Sequence, residues 1–326
     1  FAAWNPQKHE DAAIFKENQR IRMFLELRKM RSIGAIREYQ KSSETRRENC
    51  MRIGIRAHDV KADTFEGLVK EIHNEGMHCC QLAVPKAVHE FPTKKEVLTP
   101  GMALYMKEVF AENKVDVAVL GCYQNLATPD EAALKDTIDT YKRHIVFASL
   151  LGAGVVGTET GACNTEYRTE PFSFTEEALE IFIKNLRPVV EYAEKLGVIV
   201  AIEPVCRHIV NNAKRARKVL DAIDSPNLQI IFDPVNLLDE SNYQEYPAIF
   251  KEFVEILGPD IATIHAKDFK IENGKLLSCA CGTGQMDYEF LLRYIKGHKP
   301  HIHVLLEDTN PSNAQQARQF MEEKYA

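Results

Sequence analysis

From Met51 onward the chain alternates short apolar runs with longer amphipathic ones, and this alternation restricts the fold more than any other feature. RIGIRAH, CCQLAV, VDVAVLGCY, GVVGTETG, VIVAIEPV, LQIIFDPV, IATIHAKD and IHVLLED read as eight strands. TFEGLVKEIHNEG, DEAALKDTIDTYKRHIVFASLLGA, TEEALEIFIKNLRPVVEYAEKLG and DYEFLLRYIKGHK, lying between them, have helical periodicity. Thr128-Pro129-Asp130-Glu131 has the form of a capping box with proline at the first helical position. Gly76 and Gly197 stand where left-handed helix ends are wanted. Apolar strands separated by helices imply a parallel sheet covered by those helices. Eight such units over residues 51–326 predict an α/β fold, a (β/α)8 TIM barrel, whose usual size is about 250 residues. A doubly wound open sheet is the alternative. It would carry a glycine-rich phosphate turn after the first strand, and RAHDVKAD has none.

Residues 1–50 differ in composition: they mix both charge signs, lack a strand signal, and read as a helical N-terminal extension of unknown role. The first residue is Phe1 rather than methionine, which fits a fragment or an upstream extension. The acids in this stretch argue against a transit peptide, and no secretory signal is visible. Eight cysteines form no framework pattern; Cys79 and Cys80 are adjacent, and Cys279 and Cys281 are too close and too isolated for a structural zinc site. Reduced thiols and a cytoplasmic location are expected. No apolar run approaches the roughly 20 residues of a membrane span. The formal net charge of −6 argues against nucleic acid as a partner.

Four consecutive strand runs end in groups that are costly to bury: Glu203, Asp233, His265 and Glu307. In a barrel of this type the C-terminal strand ends form the active-site rim. Three carboxylates gathered there would raise one another's pKa unless something positive lay between them. A single divalent cation held by all four residues is the expected answer. Singly, each acid could instead cap a helix or pair with a surface lysine. One imidazole and three carboxylates suit Mn²⁺ best, with Mg²⁺, Co²⁺ or Zn²⁺ as alternatives. Period-two alternation puts Lys267 on the same side of strand seven as His265, where it either reaches an anionic substrate group or stays on the rim in solvent. Glu159 and His58 end strands four and one and are further substrate-binding candidates. Tyr123 and Asn125 close strand three and are candidates for the pocket wall. Asp268 reads as a capping residue, His301 and His303 as structural, and GTGQMDY as a turn that positions the next helix.

The IEP, FDP, HAKD and LED strand ends, with GTGQMDY after the seventh strand, make residues 51–326 resemble the xylose isomerase-like barrel superfamily of sugar isomerases and epimerases. That resemblance implies one metal ion on Glu203, Asp233, His265 and Glu307, with Glu203 and Glu307 also acting as an acid/base pair on opposite faces of a sugar. It implies a small-molecule sugar substrate, and it leaves a homo-oligomer open. Arg207 matches an arginine of the epimerase motif. Two positions depart from the pattern: Ile209 replaces a glutamate, and Asn236 stands in for a histidine at a position that helps hold sugar hydroxyls. The expected reaction is proton abstraction beside a carbonyl, through a metal-stabilised enediolate. A dehydratase acting on a keto-sugar or keto-inositol shares that first step and is the alternative. An apurinic-site endonuclease and a non-catalytic sugar-binding barrel are weaker readings. A chain starting at Met51 retains all eight strand–helix units and is expected to melt cooperatively in a thermal scan. Insoluble protein would instead assign residues 1–50 a role in covering the barrel or in assembly.

Overall fold

The computed structural model describes residues 51–325, so the expected helical extension over residues 1–50 lies outside the described residues. Eight strands close into one parallel barrel. They are β1 (Arg52–Arg56), β2 (Cys79–Leu82), β3 (Asp116–Gly121), β4 (Val155–Glu159), β5 (Val200–Glu203), β6 (Leu228–Phe232), β7 (Ile261–Ala266) and β8 (His303–Leu306). Each strand pairs with its sequence neighbours, and β8 returns to pair with β1. All eight sequence runs therefore become barrel strands. The main helices between and after them are α1 (Phe65–Asn74), α2 (Pro100–Glu112), α3 (Glu131–Leu151), α4 (Glu176–Glu194), α5 (Ala213–Ile223), α6 (Tyr246–Leu257), α7 (Glu289–His298) and α8 (Ala314–Tyr325).

The barrel interior is filled by small and branched side chains, among them Cys79, Val119, Ala201, Ile231 and Leu305. Alternation along β2 turns Cys79 and Cys80 to opposite faces, and both are fully buried. Every described cysteine is free, as expected for reduced thiols. Among the described residues, no helix is long and apolar enough to cross a membrane.

Helix starts follow local chemistry. Thr64 Oγ1 accepts from Gly67 N at 3.1 Å to open α1, and Asn212 Oδ1 accepts from Arg215 N at 3.0 Å to open α5. The capping expected of Thr128 falls instead to Asp130, whose Oδ1 accepts from Ala132 N at 2.9 Å and Ala133 N at 3.0 Å. One carboxylate oxygen there satisfies two orphan amides and is also favoured by the helix dipole, which a hydroxyl is not. Gly76 and Gly197 do take left-handed conformations, with φ of 79° and 65°.

One element went unread in the sequence. After β7 an antiparallel hairpin pairs Asp268–Glu272 with Lys275–Cys279. Its turn is Asn273-Gly274, both at positive φ (52° and 75°), which is the strongest short hairpin signal a sequence carries. The hairpin leads into GTGQMDY, and that loop is tied back by Asp268. Its carboxylate accepts from the backbone nitrogens of Phe269 and Met286 at 2.8 Å and of Gly284 at 3.0 Å. Asp268 is thus the capping residue it was expected to be.

Close packing at the base of the barrel gives a direct check on the architecture. A β-carbon added at Gly54 of β1 would lie 2.1 Å from Cys79 O and 2.5 Å from Cys79 Sγ, so the two strands approach as only glycine permits. Gly54→Ala is expected to cost roughly 1–3 kcal/mol of stability in urea unfolding. A change within experimental error would mean that β1 and β2 are less tightly packed than described.

Candidate active site

The C-terminal ends of β5 to β8 bring the four strand-end residues together. Glu203 ends β5, Asp233 follows β6, His265 lies in the last turn of the pleat of β7, and Glu307 follows β8; all are buried. Ligand atoms of Glu203, Asp233 and His265 lie within 4.8 Å of one another, so these three could hold a metal ion. Glu307 falls outside that trio, although its Oε1 is 3.3 Å from His265 Nδ1, the same distance as Glu203 Oε2.

Lys267 is the main departure from expectation. Rather than standing on the rim in solvent, it is buried, with Nζ 2.8 Å from Asp233 Oδ2 and 3.0 Å from Glu307 Oε2. An ammonium therefore already sits between two of the three carboxylates, a position the sequence reading gave to a cation alone. Its backbone is fixed as well: Tyr288, itself buried, donates its hydroxyl to Lys267 O at 2.7 Å. Arg56 adds a second positive group, with one guanidinium nitrogen 3.7 Å from Glu307 Oε2.

These placements divide the acids. Burial would raise the Glu307 pKa, but Lys267, His265 and Arg56 overcome it and hold the carboxyl down at about 2. Burial dominates at Asp233 and pushes it up to about 6 despite Lys267. Burial opposes the His265 imidazolium, yet the charges of Glu203 and Glu307 carry its pKa to about 9. Glu159 is pushed up to about 7, first by burial and then by Glu203 beside it in the β4–β5 register.

The donor set fits a divalent ion. His265 is wholly buried, yet neither of its nitrogens makes a hydrogen bond. A bare buried imidazole is costly, and coordination through one nitrogen would satisfy it. Asp233 is already aimed, because its Oδ1 accepts from Val235 N and Asn236 N at 3.0 Å each, leaving Oδ2 toward the site. Asn236 Nδ2 donates to Glu203 Oε1 at 2.6 Å, which fixes the second carboxylate.

Above this group opens a cavity of about 430 Å³, bounded by Glu203, Asn236, Lys267 and Glu307 on one side. His58 and Glu159 line it too, as the sequence reading had them. Arg207 does not: it is exposed, and its carbonyl accepts from Thr169 Oγ1 at 2.9 Å. Nor does Glu159 orient Arg207, since its contacts are the Tyr167 hydroxyl at 3.3 Å and His208 Nδ1 at 3.6 Å. Tyr123 reaches the cavity, whereas Asn125 clasps neighbouring loops through Ala162 O and Asn164 O. Arg56, Gln81, Lys86 and Tyr167 also line the cavity and had not been singled out. Arg56 ends β1 and Gln81 interrupts the apolar run of β2, so both were legible as polar groups in strand positions. Lys86 and Tyr167 come from loops whose course no periodicity reveals.

The family model for the xylose isomerase-like TIM barrel matches residues 69–324. The chain belongs to that family. A 3-oxo-isoapionate decarboxylase from Pectobacterium atrosepticum is 32% identical over 102 residues, 29% of this chain and 35% of that protein. A probable L-ribulose-5-phosphate 3-epimerase from Mycoplasma pneumoniae is 26% identical over 212 residues, 61% of this chain and 65% of that protein. The chain thus matches between about a third and just under two-thirds of the length of these curated relatives. Among solved structures, a D-tagatose 3-epimerase-like protein superposes with a TM-score of 0.67 at 18% identity, covering 84% of this chain and 97% of its own. The IolI protein, solved with a bound zinc atom, superposes with a TM-score of 0.64 at 18% identity, covering 84% of this chain and 96% of its own. At these identities the superpositions show a shared fold.

Removing the Lys267 ammonium would leave Asp233 and Glu307 buried without it. In protein stripped of divalent ions, Lys267→Met is expected to lose roughly 3 kcal/mol in urea unfolding. The loss should shrink as pH falls, because unpaired buried carboxylates have raised pKa values and folding is then favoured when they are protonated. Unchanged stability at every pH would mean that the ion pairs do not persist in solution.

Proposed function

We propose that this protein is a divalent-metal-dependent isomerase or epimerase of a sugar or sugar-derived substrate, acting by proton abstraction from a carbon beside a carbonyl. The observation that carries the proposal is the buried trio of Glu203, Asp233 and His265 with an imidazole that makes no hydrogen bond, at the floor of a polar cavity. A bound ion would polarise the substrate carbonyl and lower the cost of charge developing on its oxygen. Mn²⁺ suits the mixed nitrogen and oxygen donors, and the zinc in the IolI structure makes Zn²⁺ the first competitor.

The chain's own residues divide the remaining tasks. Glu203 and Glu307 both line the cavity from strand ends that are not adjacent in the barrel, which suits abstraction of a proton on one face and its return on the other. Glu307 joins the trio as the fourth ligand in this proposal. Lys267 and Arg56, both beside Glu307, supply positive charge where an oxyanion would develop. His58, Glu159 and Asn236 serve as hydrogen-bonding groups for substrate hydroxyls. The names of the relatives support sugar chemistry, and the decarboxylase among them keeps a lyase outcome in view, since loss of a neighbouring group can follow the same carbanion chemistry.

Purified protein is expected to take up about one divalent ion per chain, read by elemental analysis, and to melt lower after chelation. His265→Ala should weaken that uptake by at least about tenfold, the loss expected even for a residue that only supports a ligand. Full occupancy in a variant lacking both Asp233 and His265 would place the metal elsewhere. Glu307→Gln should retain some metal but lose turnover by roughly 10²–10⁴-fold or more. In D₂O, NMR of a converted sugar should show deuterium beside the carbonyl. Conversion without exchange would indicate an internal hydride shift and remove both glutamates from the acid/base role.

A further inference from the structure

A second, larger cleft adjoins the candidate active site. It has a volume of about 510 Å³ and lies on the β2–β3 side of the barrel. The two cavities share Lys86 and Tyr123 as lining residues, so this pair forms the neck between them. The neck is well defined. Lys86 Nζ lies over the Tyr123 ring, 5.1 Å from its centroid, and Gln81 donates to the Tyr123 hydroxyl. The ring folds against Gly121, where a β-carbon would come within 2.6 Å of Tyr123 Cε2.

The lining of this side chamber says what it can hold. Ala83, Pro85, Leu98 and Cys122 give it an apolar wall, and Thr93 and Thr140 add hydroxyls. Its charges balance: Lys95 is paired with Asp136 and, at 3.2 Å, with Asp139, while Lys94 stands beside Glu96. That leaves Lys86, which is stacked on Tyr123. His144 also lines the chamber and is buried; its Nδ1 lies 2.8 Å from Thr140 O. A carbonyl can only accept, so Nδ1 carries the proton and Nε2 is left as an acceptor. Burial keeps the ring neutral by lowering its pKa, against the opposing pull of the Thr140 carbonyl. An acceptor nitrogen, two hydroxyls, an apolar wall and no net charge match a neutral ring with hydroxyls at its edge and C–H groups on its face. They do not match a phosphate.

We infer that the side chamber is a subsite for a second, neutral sugar ring, so that the substrate class is a keto-sugar carrying a glycosidic substituent. The inference rests on the proposed sugar chemistry and extends it from a monosaccharide to a glycoside.

The test is binding, read by calorimetry and saturation-transfer NMR on the metal-loaded full chain, which needs no turnover. The probes are the ketose disaccharides turanose, lactulose and isomaltulose, with D-fructose and D-fructose 6-phosphate for comparison. At least one disaccharide is expected to bind about tenfold or more tighter than D-fructose, the increment for filling a further partly apolar subsite. Thr93→Trp, on a half-exposed loop of the chamber, should remove that advantage and leave D-fructose binding unchanged. Leu98→Trp, which fills the chamber from its wall, should do the same and guards against a loop that simply moves aside. Equal binding of disaccharides and D-fructose, or disaccharide binding indifferent to both variants, would overturn the subsite and leave the sugar reading standing. Tightest binding of the phosphorylated ketose would overturn the neutral occupant. Failure of every sugar to bind would overturn the subsite and the sugar reading together.

Discussion

The candidate site depends on compensating the cost of burying carboxylates. Glu203, Asp233 and Glu307 are each almost wholly removed from water at neighbouring strand ends. Isolated, such groups would sooner take up protons than remain charged. Two positive groups hold them otherwise: the Lys267 ammonium between Asp233 and Glu307, and the His265 ring at 3.3 Å from both glutamates. Charge balance of this kind is local and directional, so it demands that every participant be held in place. The surrounding structure meets that demand residue by residue. Backbone amides after β6 fix Asp233, Asn236 fixes Glu203, and the Tyr288 hydroxyl fixes the Lys267 carbonyl.

Those supports come from outside the strands. The loop after β6 supplies Val235, Asn236 and their amides, while the hairpin and GTGQMDY segment after β7 lead to Tyr288. Asp268 is two residues from Lys267's partner His265 on the far side of the chain, and it spends its carboxylate entirely on loop amides. The same short stretch, HAKD, thus holds a metal-ligand candidate, a charge-balancing lysine and a loop anchor, and each faces a different requirement. A binding-competent lysine and a divalent ion on neighbouring carboxylates also compete for the same negative charge. Metal affinity at this site is therefore coupled to where Lys267 places its ammonium.

The side of the barrel near β2 and β3 contrasts with this crowding. There the cavity walls are apolar and the charges are paired among themselves, so specificity would arise from shape and a few hydrogen bonds. A site divided into a charged reacting end and a neutral recognising end is suited to chemistry on one part of a substrate and selection by another.

Much of this was legible in the sequence. Eight apolar runs separated by amphipathic ones could close only as a parallel barrel, because neither face of such strands tolerates water. Acids and a histidine at the ends of four successive runs then had to share one rim, since the fold turns sequence order into neighbourhood. Other features were visible but unread, such as Asn273-Gly274 as a hairpin turn and Gln81 as a polar break in β2. What only tertiary structure decided was direction and distance. Arg207 follows Glu203 by four residues, yet it points into solvent while Arg56, from the other end of the chain, reaches Glu307. Lys267 looked like a rim residue and is buried between two carboxylates, because electrostatic attraction in a dry site outweighs the preference of an ammonium for water. Period and composition report which face a residue occupies. They carry no information about which charge, brought from elsewhere by barrel closure, will meet it there.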